Sequence, residues 1–81
     1  MKVIVIHTLD GRAYAGTTEL AVVERMLEAN VFTAAKSVPE YMRGVAARLL
    51  FLESVSVTAE APDAFLADLI RLGIITTSKG H

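Results

Sequence analysis

Asp10-Gly11 stands between two runs of extended-chain residues, 2–9 and 12–15, and constrains this chain more than any other feature. An Asp-Gly pair in that setting signals a tight hairpin, because a two-residue type I′ turn needs positive φ at both central residues. The register it implies sets Leu9 against Arg12, Thr8 against Ala13 and His7 against Tyr14. The first strand is apolar on both sides, with Ile4 and Ile6 on one and Val3 and Val5 on the other. A strand of that kind is one covered on both faces.

Three helices are expected after the hairpin. The first spans about 18–30, capped by Thr17 or Thr18 with Glu19 in its first turn, and Asn30 near its end. Its stripe is Leu20, Val23, Met26 and Leu27, and Phe32 falls in the connection that follows. The second, 38–53, opens on the capping box Ser37-Val38-Pro39-Glu40 and buries Val38, Tyr41, Met42, Val45, Leu49 and Leu52. The third, 62–72, starts at Pro62-Asp63, packs through Phe65, Leu66, Leu69, Ile70 and Leu72, and stops at Gly73 with Ile74 supplying the apolar contact of a Schellman cap. Between the last two helices, Ser54-Val55-Ser56-Val57-Thr58 alternates strictly and predicts a strand with one buried face. A short strand over Ile75-Thr76-Thr77 is a further option, and 78–81 are expected to fray. The chain thus reads as an α+β two-layer sandwich of order β-β-α-α-β-α(-β). The helices lie on one face of a small sheet, with the strand order open.

With 81 residues there is one domain, 1–81. A chain of this mass folds to an exposed surface of roughly 4,700 Å², from roughly 12,600 Å² unfolded. That is a thin margin for a monomer, although 53% of the residues are apolar. Three helices hardly suffice for both faces of the sheet, so the two-sided first strand predicts self-association, as a dimer.

Little catalytic chemistry is visible. There are no cysteines, hence no disulfide, thiolate metal site or thiol nucleophile. No G-x-S-x-G elbow and no phosphate loop is present. The two histidines are too few for a three-ligand zinc site without carboxylates beside them. Glu24 and Glu28 share a helix face and read as solvated. His7, opposite Tyr14, reads as a cross-strand packing pair; any catalytic role would fall to His7 as base. No catalytic residue, cofactor or metal is therefore expected. A net charge of −1 disfavours a nucleic-acid binder. Lys36, Arg43 and Arg48 are the best basic cluster, but Arg43 and Arg48 sit about 140° apart on their helix. Gly44, inside that helix, costs about 1 kcal/mol against Ala. With Ala46 and Ala47 it makes a small surface that another helix can approach closely. Tyr14 and Phe32 are aromatics able to anchor a protein partner.

The apolar start, 3–6, is too short for a secretory segment, and no stretch is long enough for a membrane span. The capped Tyr41-Met42-Arg43 helix and the ending from Phe65 to Gly73 are similar to those of short bacterial or mobile-element open reading frames. That resemblance implies an accessory protein, and with no targeting or membrane segment and no cysteine a cytoplasmic setting is the default expectation. The expected function is a non-catalytic, self-associating interaction module, with a surface drawn from Val3, Val5, His7, Tyr14, Phe32, Arg43, Gly44 and Arg48. The alternative is a small nucleic-acid-associated regulator using Lys36, Arg43 and Arg48.

Overall fold

The stretch around Asp10-Gly11 folds into a hairpin with a wider turn than expected. A computed structural model describes residues 3–29 and 35–79. In it β1 (Ile4–Thr8) pairs antiparallel with β2 (Ala13–Gly16), Ile4 opposite Gly16, Ile6 opposite Tyr14 and His7 opposite Ala13. Leu9, Asp10 and Gly11 form the loop, so every cross-strand pair is displaced by one residue from the expected register. The physical reason is local. Asp10 keeps an ordinary φ and Gly11 alone in the turn is left-handed, at 88°. A three-residue loop needs one such residue where type I′ needs two. Thr8 holds the loop closed. Its N–H donates to the Arg12 carbonyl at 2.9 Å and its carbonyl accepts the Gly11 N–H at 3.1 Å. Its hydroxyl accepts the Arg12 N–H at 3.1 Å and donates to the Asp10 carboxylate. A slip of one residue exchanges the faces. Tyr14 shares a face with Ile6, and His7 lies on the other, so the expected His7–Tyr14 pair does not form.

α1 (Glu19–Ala29) starts where Thr18 Oγ1 accepts the Ala21 N–H at 3.1 Å. Its buried stripe is Val22, Val23 and Met26, with Leu27 partly buried. Leu20, expected inside, is exposed: it lies about 100° from the stripe's centre. Asn30 and Phe32 lie outside the described residues. α2 (Val38–Glu53) is capped as expected, the Glu40 N–H donating to Ser37 Oγ at 3.3 Å. The Glu40 carboxylate reaches back one residue beyond the cap, to the Lys36 N–H at 3.3 Å. α3 (Pro62–Arg71) has Pro62 in its first turn and ends in a Schellman motif. The Gly73 N–H donates to Ile70, and the Ile74 N–H to Leu69, each at 3.0 Å, with Gly73 at φ 77°.

The last strand, β3 (Ile75–Lys79), pairs antiparallel with β1, Ile6 opposite Thr77 and Thr8 opposite Ile75. The sheet order is β2-β1-β3, so the most apolar strand is central. Among the described residues the element order is β-β-α-α-α-β, a mixed α+β fold with one three-stranded antiparallel sheet and three helices. α1 lies along β2 and β1, α3 against β3 and α1, and α2 docks on α1. Ile6, Val22, Val23, Met42, Phe65 and Leu69 make the fully enclosed centre of the core.

Residues 54–58 are a correction. They form no strand, although their alternation is real: Val55 and Val57 are half-buried while Ser54, Ser56 and Thr58 are exposed. Val57 and Ala59 pack on the core, but the backbone finds a side chain for a partner. The Thr58 N–H donates to Asp68 Oδ2 on α3 at 2.8 Å, and Arg71 pairs with the same carboxylate at 3.3 Å. Period-two burial reports which side faces the core, not what the backbone bonds to. The Thr58 hydrogen bonds, more than Arg71, hold the Asp68 carboxyl below its ordinary pKa. A lowered folded pKa stabilises fully above the unfolded value, and that contribution is lost as pH falls through the folded one. Asp68→Asn should therefore lower the melting temperature at neutral pH and flatten its decline on acidification. Parallel melting curves for the two proteins across the acid range would contradict this.

Gly16 closes the hairpin against α1. A Cβ built there would lie 2.8 Å from the Ala21 Cβ and 3.0 Å from the Val22 backbone nitrogen. Neither neighbour can swing aside. Gly16→Ala is expected to cost about 1–3 kcal/mol by overpacking. Urea unfolding checks it, and an unchanged midpoint would mean that α1 shifts freely on the sheet.

Candidate functional site

The residues singled out from sequence fall on three surfaces. Val3, Val5 and His7 share the face of the sheet that the helices leave open, beside the exposed Ala13 and Ala15. Val5 is half-buried and Val3 is 43% exposed. Tyr14, by contrast, faces the helices and packs partly against the core.

The second surface is the outer side of α2. Tyr41, Met42, Val45 and Leu49 turn inward, as expected. Leu52 continues that stripe but is 65% exposed, because the helix outruns the core it packs on. Gly44, Ala47 and Phe51, at spacings of three and four, form a separate stripe away from the core. A Cβ at Gly44 would meet nothing within 4 Å, so no element of the described chain approaches it. Phe51 is 85% exposed and Leu50, flanking the stripe, 57%. Sequence reasoning took Gly44 from this surface and missed Phe51 and Leu50. The signal was present: a helix apolar on two sides has a second face to bury. Arg43 stands on the outer side of α2, whereas Arg48 belongs to the third surface, so the two arginines do not converge.

The third surface is a cleft of about 530 Å³ between the hairpin turn, α2 and the end of α3. Its floor is apolar, with Met26, Leu49, Leu69 and Ile75 among its lining. Its polar groups are Arg12 and Asp10 from the turn, Tyr14 from β2, and Tyr41 and Arg48 from α2. Arg12 Nε lies 3.5 Å from Asp10 Oδ2. A hydrogen bond to the Tyr14 phenol, and then the Asp10 charge, raise the Arg12 pKa further. The Asp10 carboxyl is lowered, chiefly by the Thr8 hydroxyl. Burial raises the Tyr41 phenol, with Tyr14 adding to the shift and Arg48 opposing it. Neither ion pair of the described residues uses Arg48. Arg12 and Tyr41 were not among the expected site residues; the three elements that bring them together are far apart in sequence.

These surfaces are suited to binding. Among the described residues no three His, Cys, Asp or Glu side chains gather as metal ligands, and the Tyr41 phenol apart no polar or charged side chain is buried. No described helix is long and apolar enough to cross a membrane. Compared with known proteins, the chain matches no family model, no curated protein and no solved structure.

Proposed function

We propose that this protein is a non-catalytic interaction module that pairs with a second copy of itself through the outer face of α2. The observation that carries this reading is the stripe of Gly44, Ala47 and Phe51, apolar and uncovered on a helix whose other side is already packed. The stripe complements itself. Phe51 and Gly44 stand seven residues apart, roughly 10.5 Å along the axis. In a two-fold interface each patch meets its own copy. An antiparallel pair of α2 helices with the axis midway sets each Phe51 over the missing side chain of Gly44 in the other copy, with Ala47 beside the axis. The area is of the right order. The chain exposes 5474 Å², about 770 Å² above the roughly 4,700 Å² expected of a monomer of this mass. A standard interface takes about 800 Å² from each partner. A cytoplasmic, bacterial setting remains part of this reading, on the absence of cysteine and the resemblance noted above.

The test is light scattering behind a sizing column over a wide concentration range at two salt concentrations. The expected mass rises from the 8.7 kDa of one chain towards twice that value, with little effect of salt. A single-chain mass at every concentration overturns the reading.

A further inference from the structure

The cleft has a composition that the pairing of α2 does not use. Its lining is mostly apolar, and its volume of about 530 Å³ lies within the range of small-molecule sites. Two guanidinium groups and two phenols are among its lining, from separate elements, Arg12 and Tyr14 on the hairpin, Tyr41 and Arg48 on α2. All four can donate hydrogen bonds, and guanidinium is suited to carboxylates. The single acid among these polar groups, Asp10, is engaged by Thr8 and Arg12. The uncompensated charge is thus the positive one of Arg48, beside the Tyr41 phenol. An apolar floor under a cationic rim selects a molecule with an apolar body and an anionic end.

We propose that this cleft binds a small amphipathic carboxylate, its hydrocarbon seated on Met26, Leu49 and Ile75 and its carboxylate held by Arg48 with Arg12 and the two phenols. The cleft and the self-pairing face adjoin on α2: Tyr41, Val45 and Leu49 turn away from Gly44 and Phe51, whereas Arg48, four residues from Gly44 and three from Phe51, stands between the two surfaces.

The molecule supplies its own reporter. It has two tyrosines and no tryptophan, and both tyrosines line the cleft, so its intrinsic emission reads this site. The full chain is titrated with octanoate, with octanol as the tail without the charge, and with acetate as the charge without the tail. Octanoate is expected to change the tyrosine emission saturably and to bind more tightly than either control. Arg48→Gln, a surface substitution, is expected to weaken octanoate about tenfold, the worth of one charge-assisted hydrogen bond, and to leave octanol unchanged. Arg48→Lys should restore part of the loss. The same octanoate affinity is expected at protein concentrations below and above those at which the chain pairs, which separates this site from the α2 face. Equal binding of octanoate and octanol, equal binding of octanoate and acetate, or an Arg48→Gln protein that binds octanoate like the parent would each overturn the proposal.

Discussion

Phe65→Ala is expected to remove about 3–5 kcal/mol of stability, the usual cost of emptying a fully enclosed aromatic site. Phe65 has no exposed surface and is, among the described residues, the largest of the fully buried side chains. It sits on α3, which touches both α1 and β3, so the void would open where the helical layer meets the sheet. A chain of this length holds about 4–12 kcal/mol in all. The substitution therefore takes a large share of the total and should lower the melting temperature by roughly 12–40 °C. Thermal and urea unfolding followed by circular dichroism measure it. A loss under about 1 kcal/mol would mean that the surrounding side chains collapse into the space, and that Phe65 does not hold the layers together.

Phe51→Glu is expected to act on association instead. Phe51 is almost wholly exposed, so replacing it should change the stability of the single chain by no more than about 0.5 kcal/mol. A central aromatic anchor contributes about 2 kcal/mol or more to an interface, and the dissociation constant should rise roughly thirtyfold or more. Gly44→Leu gives a result of opposite sign in the two measurements. Removing a mid-helix glycine stabilises the single chain by up to about 1 kcal/mol, since the new side chain meets open space. The same side chain fills the hollow that receives Phe51, and association should weaken. If both variants associate like the parent, α2 is not the interface, and the open sheet face of Val3 and Val5 becomes the surface to alter next.

Several elements were legible because their signals are local. The capping box at Ser37, the Thr18 cap, Pro62 at a helix start and the Gly73 cap each depend on a few neighbouring residues bonding one another. The errors arose where a pattern admits two causes. Alternation at 54–58 was read as a strand, but a carboxylate on α3 takes the Thr58 N–H. Asp10-Gly11 was read as a two-residue turn, but the Thr8 hydroxyl holds a loop of three. That single residue moved Tyr14 to the helix side and left His7 on the open face. Of the expected surface, Gly44 leads to one of the two sites described here and Tyr14 and Arg48 to the other, while Phe51, Arg12 and Tyr41 had not been marked.

The sequence by itself determined the inventory of this protein: a hairpin, three helices with their ends, and an apolar share a little above the average. Periodicity and caps carry that information, because each is settled within a turn or two of chain. Only the tertiary structure decided that β3 returns to the far edge of β1. It also decided that α2 extends past the core and exposes Leu52, that Phe51 faces away from the core, and that Arg12, Tyr14, Tyr41 and Arg48 line one cleft. Those outcomes depend on contacts between residues up to about seventy positions apart, such as the Thr77 hydroxyl donating to the Val5 carbonyl. Nothing in a local pattern specifies such contacts, because they form only where the layers meet.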